Sequence, residues 1–298
     1  MQPSRTARLA SLLDRWLEQP VLRLELVRIL APLAVLGFMS GRIAHADEWL
    51  GNAGFRPPDL GGGDWRQPLY LPPVPGWTAW SIAGLMILSG LAVSVGWRAR
   101  IAAALFATTL GFVALSDRLA AFTVSKLAPV IMLALAMSPC GRRWGIDAWR
   151  VSRGNPAHRP ADGKAGAVRF FQLLLPVLYS ASGIAKLRGD WLSNPLVLWA
   201  HLHDSYQTWF SWALANTLPA FGWTILQGAT LAFEVGAPLW FGLPWTRTAA
   251  FFAGITMHAL IGLMFGPVKW FALLMIALLI GAYLPDRGLR RLGAVQPR

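Results

Sequence analysis

Thiols and charge are both scarce in this sequence. Cys140 is the only cysteine in 298 residues, which excludes an internal disulfide, a zinc ribbon or an iron–sulfur spacing within one chain. Charged residues make up only 14% of the sequence against 55% hydrophobic, and the mean hydropathy is +0.46. A water-soluble core of this size needs more charge, so the chain belongs in a membrane. No cleavable leader is expected. The stretch 1–20 carries Arg5, Arg8 and Arg15, but it holds Asp14 and Glu18 as well and no small-residue cleavage site follows the first apolar run. That run is therefore a retained helix. The net charge of +13 forms no stripe or patch, because the basic residues are spaced between long apolar stretches. Membrane topology explains them, and no nucleic-acid partner is expected.

What is present is a series of apolar runs. A span needs about 20 predominantly apolar residues, and eight stretches qualify, near 22–40, 77–96, 99–116, 123–139, 168–186, 219–242, 247–265 and 268–284. Pro32, Pro129, Pro176 and Pro238 fall inside them, which packed membrane helices tolerate because neighbours satisfy the freed backbone groups. The fold expected is an all-α, polytopic transmembrane bundle of about eight spans. With the N-terminus inside, 18 of the 27 basic residues fall on the inner side, 8 on the outer side, and Arg28 within a span. This bias predicts an even number of spans with both termini inside, as in a multi-pass protein of a bacterial inner (cytoplasmic) membrane. The organisation expected is a cytoplasmic segment 1–21, a transmembrane domain 22–284 with a basic cytoplasmic loop 140–168, and a cytoplasmic tail 285–298. The segments 41–76 and 192–218 are rich in tryptophan and tyrosine, and aromatics at this density suit an interfacial belt, cap or vestibule on the outer face.

Polar residues inside spans are costly and usually face the bundle interior. Arg28 lies roughly 9 Å into the first span from the inner side, and Glu234 lies roughly 22 Å into the sixth from the outer side, at a rise of 1.5 Å per residue. In a core of about 30 Å these depths match, which predicts an Arg28–Glu234 ion pair clamping two helices. Glu25, at i−3 from Arg28, is its local competitor. His258 comes near mid-membrane in the seventh span, where it serves as a packing residue, a ligand contact or a proton relay. His201-x-His203-Asp204 would converge on a metal only if extended; on a helix the side chains diverge, and no metal is expected.

The stretch from Tyr179 to Trp191, YSASGIAKLRGDW, holds the most chemistry. On a helix Tyr179, Gly183 and Lys186 share one face, and Gly183 allows another backbone or a flat ligand close to it. Lys186 is expected at the outer end of its span. There it either snorkels beside an interfacial tryptophan or, beneath a desolvating lid, acts as a base.

Tyr-x-x-x-Gly-x-x-Lys-Leu-x-x-x-Trp, preceded by Ser138-Pro139 before the basic loop and followed by Glu234-x-x-x-Pro238 and His258, resembles the horizontally transferred transmembrane (HTTM) family. The best-known member of that family is vitamin K-dependent gamma-glutamyl carboxylase. The resemblance implies a membrane enzyme in which Lys186 deprotonates a lipid-soluble quinol of the vitamin K type. Tyr179, Gly183, Trp191 and His258 would then lie about the quinol, with carboxylase- or epoxidase-like (lyase) chemistry on a peptide or protein substrate at the outer face. The animal carboxylase carries two adjacent lysines where this chain has Ala185 and Lys186, and with no large extracytoplasmic domain after the last span glutamate carboxylation itself is not expected. The other reading is a non-enzymatic assembly or maturation partner whose polar residues only pack helices.

Overall fold

A computed structural model describes residues 5–54, 71–116, 123–154, 163–203 and 206–293. The chain folds as α1 (Arg5–Leu17), α2 (Leu22–Ala44), α3 (Ala46–Trp49), α4 (Gly76–Val95), α5 (Ala99–Ser116), α6 (Thr123–Ala136) and α7 (Ile146–Gly154). It continues with α8 (Gly166–Arg188), α9 (Val197–Ala200), α10 (Trp209–Thr217), α11 (Ala220–Gly242), α12 (Arg247–Met264), α13 (Lys269–Tyr283) and α14 (Asp286–Arg291). The extended structure among the described residues is slight: two-residue strands pair Glu18 with Lys164 and Gln19 with Gly163, and a single bridge joins Gln207 and Phe265. Apart from these pairings, the regular structure of the described residues is all helical, as expected. All eight apolar stretches are helices, and each of the four internal prolines lies inside one.

Among the described residues, five helical segments are long and apolar enough to cross a membrane: α4, α5, α8, α12 and the run Gly266–Tyr283 that contains α13. Helices α2 and α11 match them in length, but α2 carries Arg23, Glu25, Arg28 and Arg42, and α11 carries Gln227 and Glu234. Helix α6 is shorter, at 14 residues.

Two compact units make up the chain, Met1–Ala167 and Val168–Arg298. In the first, α2, α4, α5 and α6 close a four-helix bundle in which α4 packs on α2 and α5, and α6 on α5 and α2. Val27, Val35, Met86, Phe106, Ile131 and Leu135 are fully or almost fully buried between them. One end of this bundle is tied by Arg28, which is 1% exposed. Its Nε donates to Glu25 at 2.7 Å, Nη1 donates to the Val93 and Ser94 carbonyls at 2.6 and 2.7 Å, and Nη2 donates to the Trp144 carbonyl. Glu25 in turn accepts from the Arg143 amide at 3.1 Å. One guanidinium therefore binds two carbonyls at the end of α4 and holds the loop before α7. The close approach is possible because Gly96, at φ 72°, and Gly145, at φ 151°, meet backbone to backbone.

The expected Arg28–Glu234 pair is not the one formed. Arg28 pairs with Glu25 one turn away, and Glu234 has another partner in the second unit. Equal depth in a membrane does not make two helices neighbours, whereas an i−3 carboxylate is always within reach.

In the second unit α12 packs on α11 and α13, and α8 joins α13 through Gln172, whose Nε2 donates to the Ala282 carbonyl at 2.7 Å. The segment between α8 and α11 folds back on the first half of α11. Buried Gln227 of α11 organises it: Nε2 donates to the Trp191 and Asn194 carbonyls at 2.6 and 2.9 Å, and Oε1 accepts from the Leu198 amide at 3.2 Å. Leu202, Trp223 and Met264 form the apolar centre of this cap, with Leu198, Phe210 and Leu214 around them. Thr208 and Ser211 cap α10 reciprocally, and the Thr208 hydroxyl donates to the Leu263 carbonyl at 2.6 Å. The aromatic segment 192–218 is thus a cap with a core of its own.

Candidate functional site

Glycine sets the site up. A Cβ on Gly183 would lie 2.9 Å from the Val235 amide nitrogen and 3.1 Å from the Glu234 Cβ, so α8 and α11 meet there at a distance only glycine permits. One turn further along α8, Lys186 then reaches Glu234. Its Nζ stands 2.5 Å from both carboxylate oxygens and 3.0 Å from the Ser182 hydroxyl, and it lies 4.9 Å from the centre of the Trp191 ring. The pair is asymmetric in access: the Lys186 side chain is 21% exposed and that of Glu234 only 7%. Such a charge-assisted bond between partly desolvated groups is stronger than its surface counterpart.

Depth follows from the geometry of α11. Glu234 comes 14 residues after Ala220 and 8 before Gly242, or about 21 Å and about 12 Å along the helix. Lys186 lies in the last turn of α8, at the end of its span as expected. Its partner Glu234 lies well down the length of α11, below the segment that Gln227 fastens over the first half of that helix. The sequence places Lys186 at the end of its own span correctly, but the chain beyond α8 turns back and builds further structure above it.

A second polar pair lies deeper on the same face of α8. The Tyr179 hydroxyl and His258 Nε2 are 2.8 Å apart, both residues are buried, and His258 Nδ1 has no hydrogen-bond partner among the described residues. The Tyr179 ring lies parallel to Phe241 at 6.1 Å and edge-on to Phe233 at 5.2 Å, and His258 stands edge-on to Phe271 at 5.8 Å. Tyr283 extends this wall, 4.4 Å from Phe241, and its hydroxyl donates to the Gln172 carbonyl.

The four residues expected about a quinol are not all brought together beside Lys186. The face of Gly183 is filled by α11, the Tyr179 ring is enclosed by phenylalanines, and its hydroxyl is engaged by His258. Trp191 alone of the four stands beside Lys186 on the accessible side. The histidines of the cap are likewise occupied: Nδ1 of His201 bonds the Val197 carbonyl at 2.7 Å, and Nδ1 of His203 bonds the Trp199 carbonyl at 2.8 Å. Asp204 lies outside the described residues, among which no three His, Cys, Asp or Glu side chains cluster.

Sequence reasoning singled out both members of the ion pair but assigned Glu234 to another partner. It missed Ser182, Gln227 and the aromatic wall. Glycine at position 183 was the available signal, because a glycine on a helix face that also carries a lysine marks where a second helix comes close.

The geometry thus centres on one accessible lysine, a buried carboxylate and a close helix crossing, all in a chain rich in membrane-length apolar helices. The family model described as "HTTM domain" matches residues 68–285, a range that contains Gly183, Lys186, Trp191, Glu234 and His258. No curated protein and no solved structure matches the chain. The chain belongs to the HTTM family and is a multi-pass membrane protein of that family.

Proposed function

We propose that the chain crosses a bacterial inner membrane eight times, with both termini inside, and that the Lys186–Glu234 pair is the acid–base centre of a membrane enzyme. The single observation that carries this reading is the pair itself: a proton donor and acceptor 2.5 Å apart, recessed along α11, with the lysine open and the carboxylate closed. The open side of the lysine gives a reacting proton a way in.

The residues divide the work of moving one proton. Nζ of Lys186 is the atom a substrate can reach. Glu234 lies behind it and takes up the proton passed along the short hydrogen bond, so the pair as a whole accepts one proton while Nζ returns to its resting state. Ser182 and Trp191 hold the ammonium on this line, one by accepting a hydrogen bond and the other by a cation–π contact. The cap excludes water from above, and a substrate reaches the site laterally, between helices. That route suits a lipid-soluble quinol, the proton source the family resemblance implies. Trp191 and Lys186 are the residues of this chain that would meet it, and the eventual substrate at the outer face is a peptide or protein.

Glu234→Gln tests the reading, because glutamine keeps the shape and a hydrogen-bond acceptor but cannot store the proton. The variant is expected to melt near the wild type in detergent and to fail to complement a host lacking the gene. A Glu234→Gln protein that complements fully would overturn the proposal. Extraction of the purified wild type is expected to yield a quinone in molar proportion to protein; its absence would remove the quinol from the reading.

A second reading, a non-enzymatic assembly or maturation partner, is favoured by one observation. Every polar atom of the pair already has a partner inside the protein. It predicts that any substitution preserving the ion pair also preserves function.

A further inference from the structure

Where α4 turns into α5, at the end of the first unit that Arg28 ties together, a cleft of about 440 Å³ opens between the loop 142–145 and α7. Arg142, Arg143, Trp149 and Ser152 line it. The walls are held in place. The Trp144 carbonyl accepts from Arg28, the Asp147 amide donates to the Gly96 carbonyl at 3.0 Å, and the Asp147 carboxylate accepts from the Ala99 amide at 3.1 Å.

Those bonds also fix the depth of the cleft. Helices α4 and α5 are both membrane-length and apolar, so the turn that joins them, residues 96–98, lies at the bilayer boundary, and α7, bonded to both sides of that turn, lies at headgroup level. Helix α7 has the composition for that position. It buries no residue against the protein. Ile146, Trp149, Arg150 and Arg153 recur at i, i+3, i+4 and i+7, on one face, and the Arg153 guanidinium lies 4.0 Å from the Trp149 ring centre. A face that mixes tryptophan and arginine, exposed and at headgroup depth, is what an interfacial helix presents to lipid.

We propose that this cleft binds the headgroup of an anionic phospholipid of the adjoining leaflet. Arg142 and Arg143 face the phosphate, and Trp149 and Ala148 lie along the glycerol and upper acyl chains. Guanidinium groups match phosphate oxygens through paired N–H donors, and each basic residue at an anionic surface adds attraction that neutral lipid cannot supply. The apolar side of the cleft favours a lipid over free phosphate, which would use the arginines alone.

Native mass spectrometry of the full chain in detergent tests the site, with dioleoylphosphatidylglycerol and dioleoylphosphatidylcholine offered at equal concentration and inorganic phosphate as competitor. Expected are preferential retention of the glycerol lipid, no displacement by phosphate, and a loss of about fivefold in its affinity for Arg142→Gln. The variant Trp149→Ala should weaken retention of both lipids. Equal retention of the two lipids overturns the proposal, as does unchanged affinity in a folded Arg142→Gln protein. Displacement by inorganic phosphate would make this a free-anion site and equally refute it. Should Arg142→Gln fail to fold, the wild-type comparison of the two lipids decides alone.

Discussion

Replacing Gly183 with alanine adds a single methyl group where the structure has no room for one. The new Cβ would stand 2.8 Å from Val235 Cγ2, 2.9 Å from the Val235 amide nitrogen and 3.1 Å from the Glu234 Cβ. Valine is stiff at χ1 in a helix, and a backbone nitrogen cannot rotate away, so α8 and α11 must separate. Overpacking of this kind costs about 1–3 kcal/mol. Against it stands the better helix propensity of alanine, up to ~1 kcal/mol in its favour. The net expectation is a loss of about 1–2 kcal/mol, which at about 2–4 °C per kcal/mol lowers Tm by several degrees. Thermal unfolding of the purified protein in detergent measures it, and Gly228→Ala is the control. Gly228 lies in α11 with nothing within 4 Å of a Cβ, so alanine there gains propensity without a clash and should leave Tm unchanged or raise it. Separation of the helices also stretches the 2.5 Å Lys186–Glu234 contact, so Gly183→Ala should lose function as well. A Gly183→Ala protein as stable as Gly228→Ala would refute the close crossing on which the site depends.

Three further outcomes follow from the same geometry. Arg28→Ala removes the ion-pair partner of Glu25 and a donor from three backbone carbonyls at once. Breaking such a buried pair costs about 3–5 kcal/mol, and the variant should be almost absent from the membrane fraction. Gln227→Leu leaves the Trp191 and Asn194 carbonyls and the Leu198 amide without their buried partner. It should open the cap to limited proteolysis within 190–203, and a cleavage rate equal to the wild type would contradict the fastening role. Burial pushes the Cys140 thiol up from 9.0 to about 11, so alkylation of the folded protein should stay slow at neutral pH and rise as the pH approaches 11. Because this thiol holds its proton more tightly folded than unfolded, its contribution to stability is full below pH 9 and lost as the pH rises through 11. The contribution is on the order of 2–3 kcal/mol, and a Tm that stays flat from pH 9 to 11 in comparison with Cys140→Ser would contradict it.

Much of the architecture was legible in the sequence because hydrophobic length is a strong local signal. The helices around Pro32, Pro129, Pro176 and Pro238 formed where apolar length placed them, against the local preference of proline. What the sequence hid were azimuth and neighbours. Depth along a helix follows from counting residues, so Arg28 and Glu234 looked like partners, but which side chains meet depends on which helices touch. Glu25 won Arg28 by proximity in sequence, and Lys186 won Glu234 because Gly183 lets α8 approach α11. The cap was foreseen from its aromatics but not its fastening, since Gln227 looks like any polar residue in an apolar helix until the chain folds back upon it. Trp191 kept its place beside Lys186, whereas Tyr179 and His258 turned out to be partners of each other.

Lys186→Arg bears most directly on the central claim that the lysine works by giving up and regaining a proton. Arginine keeps the positive charge and can hold Glu234, but it does not release a proton in a protein. The variant should therefore match the wild type in Tm and in membrane abundance, and fail, like Lys186→Ala, to restore a host lacking the gene. A Lys186→Arg protein that restores the host in full would contradict the acid–base centre and leave the pair as a structural clamp.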